Sequence, residues 1–334
     1  MDSLTQIVLG AAVGEAILGK KIGNRAVLYG GIIGTIPDLD VFFGNFYDPI
    51  TAVEIHRGFS HSFVFFALLS PLLGLLMARL ERKNAVGLFS AIWMAFLCLA
   101  THAILDAFTT WGTQLFWPHP YRAGIQSIFV IDPLYTLPFL FCLIMAMRLP
   151  RESETRRKWN RIGLWLSTGY LFLTVILKQV TTDIFETSLA TKSIYYDRLI
   201  VKPAPLNIIL WNANIETAEG YWLGDYSYFD TSPIRYTFYP RGEDKIAHIK
   251  DSETIRKLIR ISEGWYVITK RGDKLFFNDL RFGLLNDDVK NPEFVFSYEI
   301  IDHNGTITAR ESDNKGGREG MQVLKKLVER IKGR

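Results

Sequence analysis

Cysteine is nearly absent: the 334-residue chain has two, Cys98 and Cys142, and both lie inside apolar runs. That excludes a disulfide framework and leaves no thiolate pair with metal-site spacing. Charge of one sign is also scarce. The 38 basic and 34 acidic residues leave a formal charge of +4, too small a surplus over two halves to argue for nucleic acid as a partner. The start, Met1-Asp2-Ser3, carries an acid where a secretory signal opens with Lys or Arg, so the segment reads as retained. No internal repeat is visible. The centres of the long apolar runs have little polarity beyond small hydroxyls, which counts against a proton or metal pathway through the membrane.

What the chain has is long apolar runs, and almost all of them precede Lys178, with charged residues concentrated after it. At roughly 150 residues per domain the length allows about two, read as a polytopic membrane domain over 1–180 and a water-soluble one over 181–334. Residues 4–18 form a run interrupted by Glu15, short for a span, which crosses at a tilt or re-enters. Residues 26–36 hold Gly30, Gly31 and Gly34, suited to close helix packing in lipid. Further runs cover 62–78 (with Pro71), 85–108, 128–147 and 162–177. The expectation is a mainly α bundle of about five or six membrane helices.

Beyond Thr181 the pattern changes. Residues 195–201, 207–211, 221–229, 236–239, 265–269 and 294–301 are rich in Val, Ile, Tyr and Phe and bounded by Gly, Asn, Asp and Pro. They predict an antiparallel sheet within a β-rich (α+β) soluble domain. Arg271-Gly272-Asp273 reads as a hairpin turn rather than an adhesion motif. In the tail, Val323, Leu324, Leu327, Val328 and Ile331 fall at helical spacing with basic residues between them. The predicted amphipathic helix docks on its own sheet, with a membrane surface as the second choice.

Polar clusters interrupt the apolar runs at matching ends. His56-Arg57-Gly58-Phe59-Ser60-His61 fills one short break; Asp38 and Asp40, His102 and Asp106, and Asp132 mark others. Passing the helices alternately through a bilayer puts all of these on one side, and Asp2 joins them if the first run spans. His102 and Asp106, four apart, share a helix face. A spacing of five cannot keep His56 and His61 on one face, so His56 falls in the loop and His61 at a helix start capped by Ser60 or Ser62. Each cluster alone has a plain structural use as a cap, a hydrogen bond or interfacial packing. Together they predict a divalent metal site, zinc or manganese by donor type.

Such an ion lowers the pKa of water and polarises a phosphoryl or carbonyl oxygen. Asp40 or Asp106 then serves as bridging ligand or general base. Arg57 binds a phosphate or a developing oxyanion, or else snorkels at the interface. His119 and Asp132 are second-rank candidates, while His248 and His303 read as surface residues. Lys20, Lys21, Arg25, Arg79, Arg82, Lys83 and the Arg148 to Arg161 cluster occupy the loops opposite the site. By the positive-inside rule the site and the soluble domain face away from the cytoplasm.

The ordered series Pro37-Asp38-Leu39-Asp40, His56-Arg57-Gly58-Phe59-Ser60-His61-Ser62, His102-Ala103-Ile104-Leu105-Asp106, Gly112-Thr113-Gln114 and Ile131-Asp132-Pro133 resembles the YdjM-like family of membrane-bound, metal-dependent hydrolases. The resemblance covers roughly residues 1 to 180. It implies a bacterial inner-membrane protein with a divalent centre, distantly similar to zinc-dependent phospholipase C; the expected ion is Zn2+, with Mn2+ as the alternative. By motif position it puts the metal residues at Asp38, Asp40, His56, His61, His102 and Asp106. It departs at Gln6, where the family pattern carries histidine; if that histidine is a ligand, the chain has lost one or uses Asp2. The expected activity is hydrolysis of an ester or phosphoester, with membrane lipids as the natural partners because the site lies at headgroup depth. The competing expectation is a structural metal, with the β-rich domain as a binding or regulatory module.

Overall fold

The computed structural model describes residues 1–285, 291–303, 305–312 and 320–334. Helices come first: α1 (Ser3–Ile22), α2 (Asn24–Thr35), the short α3 (Asp40–Gly44) and α4 (Pro49–Ile55), then α5 (Phe63–Leu80), α6 (Leu88–Ala107), α7 (Pro133–Met147) and α8 (Glu154–Thr191). Two antiparallel sheets follow. The α-then-β order is the one expected.

The number of spans is smaller than expected. Among the described residues three helices, α5, α6 and α8, are long and apolar enough to cross a membrane. A fourth span results if α2 and the bent segment after it, Pro37–Gly44, count as one. Helix α7 is apolar but has 15 residues, about 22 Å at 1.5 Å per residue against a hydrocarbon core of about 30 Å. Helix α1 has the length, but Gln6, Glu15, Lys20 and Lys21 dilute its apolar character.

Contacts divide the chain into two compact units. The first holds Met1–Phe43, Ile55–Leu177 and Pro205–Asn207; the second holds Gly44–Glu54, Lys178–Ala204 and Ile208–Arg334. In the first unit α1 and α2 cross on glycine. A Cβ on Gly30 would overlap the Gly10 carbonyl, and one on Gly34 would come 3.1 Å from the Gln6 carbonyl. Outward faces carry exposed Leu68, Leu72, Leu76, Phe89, Trp165 and Phe172, a burden that lipid accepts and water does not.

One end of this unit collects the basic loops. Arg151 Nη1 donates to the Lys21 carbonyl (2.9 Å), Lys21 Nζ to the Ala85 carbonyl (3.2 Å) and Asn24 to the Met147 carbonyl (3.1 Å). Arg25 pairs with Glu81, and buried Arg156 forks onto buried Glu15 at 2.6 and 2.5 Å. Asp132, at the other end, caps α7 by accepting from the Leu134 and Tyr135 amides, and also accepts from the Tyr170 hydroxyl (2.9 Å).

The second unit has strands β1 (Arg198–Pro203), β2 (Leu210–Glu216), β3 (Gly220–Ser227) and β4 (Tyr236–Pro240) in one meander. Strands β5 (Tyr266–Arg271), β6 (Lys274–Leu284), β7 (Phe294–His303) and β8 (Thr306–Glu311) form the other. Helix α9 (Glu253–Ile261) lies between them in sequence and α10 (Gly320–Ile331) ends the chain. The β6–β7 register shifts between Asp279 and Leu284. There Asn214 Nδ2 reaches the Leu280 carbonyl (2.7 Å), and Lys202 Nζ reaches the Leu280 and Arg281 carbonyls, joining the sheets. Ile50 of α4 is buried with Ile255, Leu258 and Ile268. The last turns of α8 belong to this unit, with Thr181, Phe185 and Leu189 fully buried. Helix α10 docks by its final turn, where Arg330 forks onto Asp230 (2.7 and 2.6 Å), while Met321, Val323, Leu324 and Val328 stay exposed.

Candidate metal centre

Three local devices bring four donors together. Asp38 sits on the 3-10 turn Pro37–Leu39 that ends α2, and His61 on the turn Phe59–His61 that leads into α5. Ser62 caps α5 by accepting from the Phe65 amide. His102 and Asp106 project from α6 one turn apart. Their donor atoms all lie within 4.8 Å of one another. His61 Nε2 is 3.2 Å from His102 Nε2 and 3.5 Å from Asp38 Oδ1. His102 Nε2 is 3.4 Å from the same Asp38 oxygen, and Asp106 Oδ2 is 3.4 Å from His61 and 3.6 Å from His102. A tetrahedral ion with bonds of about 2.0–2.1 Å holds its donors about 3.3–3.4 Å apart. The donor set fits a divalent ion.

Hydrogen bonding assigns the tautomers. His102 Nδ1 lies 2.5 Å from the Gly34 carbonyl, which only accepts, so Nδ1 carries the proton and Nε2 is bare. Ser60 donates to Asp40 Oδ2 (2.8 Å), so its oxygen accepts from His61 Nδ1 (2.9 Å), which leaves Nε2 of a neutral His61 ring free to ligate. Among the described residues no hydrogen bond reaches Asp106 Oδ2. Two imidazole lone pairs and two carboxylate oxygens therefore face one point. A proton on His61 would satisfy one edge of that figure; a divalent ion satisfies all four donors.

A surrounding layer fixes these donors. Asp40 accepts from His56 Nδ1 (2.9 Å), the Arg57 amide (3.0 Å) and Ser60, and lies 3.4 Å from His61 Nδ1. Its oxygens are thus spent on the motif that carries His61. Arg57 is buried in the left-handed region (φ 56°), with Nη1 donating to Thr109 (2.9 Å) and Nε 3.1 Å from Asp106 Oδ2 without hydrogen-bond alignment. Gln6 Nε2 donates to Asp106 Oδ1 (3.0 Å), as does the Met1 amino group.

Of the residues read as ligands, the structure gathers Asp38, His61, His102 and Asp106. Asp40 and His56 stand one layer out, the imidazole rings of His56 and His61 being 6.0 Å apart. Asp2 caps α1, its carboxylate accepting from the Thr5 amide (3.1 Å), and Asp132 caps α7. His119, His248 and His303 are exposed. Sequence reasoning missed the Gly34 carbonyl, Ser60 as relay to Asp40, and Gln6 as the clamp on Asp106. Only Gln6 carried a signal, as the break in the motif series.

Apolar membrane helices with a buried His-Asp cluster at one end define a class, the polytopic membrane protein with a candidate metal centre. The family model of the YdjM inner membrane protein matches residues 1–181, more than half of the chain, and the chain belongs to that family. It is also 32% identical over 118 residues to the inner membrane protein YbcI of Escherichia coli (strain K12). That alignment covers 35% of this chain and 66% of the relative, just under two thirds of its length. No solved structure matches. The family expected from the motifs is the family found, and with the apolar helices it supports an inner-membrane location.

Proposed function

We propose that this protein is a membrane-embedded, metal-dependent hydrolase that cleaves an ester or phosphoester at the extracytoplasmic face of the inner membrane. The observation that carries the reading is the pair of Nε2 atoms 3.2 Å apart, flanked by two carboxylates. An ion bound there supplies Lewis acidity to a phosphoryl or carbonyl oxygen and lowers the pKa of water. Asp38, His61, His102 and Asp106 hold the ion. Asp40 and the Gly34 carbonyl orient the two imidazoles, the outer layer on which metal sites depend. Arg57, against Asp106, offers fixed positive charge to an oxyanion developing nearby.

A lipid ester is the substrate class the surroundings favour. Phe59 stacks edge-on with Trp117 (4.9 Å between centroids), Phe63 lies 5.7 Å from Phe116, and Phe116 and Tyr121 are exposed. Aromatic rings of this kind gather at headgroup depth. One observation favours the second reading, a structural ion with the second unit as the binding module: four protein donors fill a tetrahedral shell, as structural sites do.

The test is metal per chain in purified protein, with hydrolysis of a generic phosphodiester and a carboxylic ester followed alongside. The parent should hold about one ion per chain, with His61→Ala, His102→Ala and Asp106→Ala falling toward zero. His248→Ala is the control and should match the parent. Unchanged metal in all three ligand variants would sink the centre. Metal without hydrolysis across a range of esters and lipids would favour the structural reading.

A further inference from the structure

Four donors in a tetrahedron admit a substrate oxygen in one of two ways: the ion expands to five donors, or one donor yields. The four are not equal. His61, His102 and Asp106 are 0–1% exposed in their side chains, whereas Asp38 is 25% exposed. The three buried donors are each held from behind: His102 by the Gly34 carbonyl, His61 by Ser60 and Asp40, Asp106 by Gln6 and the Met1 amino group. Among the described residues, the Asp38 carboxylate meets only the two imidazoles.

Their backbones differ in the same direction. His102 and Asp106 are fixed in the body of the 20-residue α6. Asp38 rides a single 3-10 turn of three residues, at the 42° bend between Asn24–Thr35 and Pro37–Gly44. A side chain with one anchoring turn, solvent on one side and no outer hydrogen bond loses least on rotating away. Asp40, two residues on, shows the contrast, since its carboxylate is tied to His56, Arg57 and Ser60.

We infer that Asp38 is the exchangeable donor: its carboxylate leaves the ion and an oxygen of water or of an anionic substrate takes its place, while the other three donors stay. The inference rests on the metal reading above and goes further, because it turns a closed four-donor shell into one with a position that opens. It also assigns unlike roles to the two carboxylates of the cluster, with Asp106 as anchor and Asp38 as gate.

The experiment loads the purified full-length protein with Co2+ and follows its visible absorption while azide, then inorganic phosphate, is added. The parent should show an anion-dependent spectral change of low affinity, because the anion competes with Asp38. Asp38→Ala should keep at least about half of the parent's cobalt and bind azide about tenfold tighter or more, whereas His102→Ala and Asp106→Ala should lose the metal. Asp38→Asn, of the same shape, is the second variant should Asp38→Ala fail to fold. Cobalt lost from both Asp38 variants as fully as from His102→Ala overturns the inference and leaves the metal centre standing. Azide affinity equal to the parent's overturns it too. A parent that takes up no cobalt overturns the metal reading itself, and this inference with it.

Discussion

Lys202, in the second unit, is a cation in a place made for a neutral group. It is buried between sheets, its Nζ donating to the Leu280 and Arg281 carbonyls. Burial, with the Arg281 charge adding to it and Asp279 opposing, pushes its ammonium down to about 7. An unfolded lysine titrates near 10.4. Between those values the unfolded chain binds more protons than the folded one, so stability rises with pH from about 7 to about 10. Above that, burial holds Tyr221, Tyr266 and Tyr298 protonated when folded, and the trend reverses. The unfolding free energy of the second unit, read from urea midpoints by pulse proteolysis, should therefore climb from pH 7 to pH 9.5 by on the order of a few kcal/mol. Lys202→Met should flatten the climb, and a flat profile in the parent would contradict the account. Residue types were legible in the sequence, their shells were not. Asp38 and Asp40 look alike in a Pro-Asp-Leu-Asp string, yet the turn between α2 and α3 sends one carboxylate to the imidazoles and the other to His56 and Ser60. Which way it does so depends on long-range partners no local pattern records.

Between elements, the α1–α2 crossing governs the centre without supplying a ligand. Gly10 and Gly30 let the two backbones touch, and the carbonyl of Gly34, one turn beyond Gly30, fixes the His102 ring. Gly30→Leu should push α2 off α1, at a cost of about 1–3 kcal/mol, and carry both that carbonyl and the Asp38 turn away. Metal per chain should fall although every donor remains. Gly169→Ala, where a Cβ meets nothing within 4 Å, is the control and should keep the ion. Full occupancy in Gly30→Leu would break the link between crossing and centre. The role of the glycines was readable from their run in 26–36. The extent of α8 was not, because 178–191 is polar on most sides and its buried stripe of Thr181, Phe185 and Leu189 faces the second unit's own core. Strand β6 hid for a similar reason: Asn278, Asp279 and Arg281 are buried within it by mutual pairing, Arg281 donating to Asp279 and Asn278 accepting from Ser297. That breaks the apolar alternation by which a strand is read. Strand β8 is a short edge strand with exposed and half-buried residues only.

For the molecule as a whole, the first unit has two chemically different ends. The loops at 20–25, 79–85 and 147–156 touch one another through Lys21, Arg25, Asn24 and Arg151, and they carry its clustered lysines and arginines. The far ends of the same helices hold Asp38, His61, Asp106 and Asp132. The convergence was legible from hydropathy alone, because helices that cross must alternate. The number of full spans was not, since the short α7 and the polar-flecked α1 run alongside longer helices. Helix α8 begins at the basic end, where Arg156 meets Glu15, and passes Asp132 at Tyr170; the orientation proposed above has the chain leave the membrane at the end that holds the site. Cationic loops stay in the cytoplasm. It follows that alkaline phosphatase, active only outside the cytoplasm, should be active when fused after Arg334 and silent when fused after Lys83 or Arg157. Activity at Lys83 with silence at Arg334 would invert the molecule and put the centre on the cytoplasmic face. A silent reporter at all three positions would mean that α8 does not carry the chain across, and the second unit would then have to act on the cytoplasmic side.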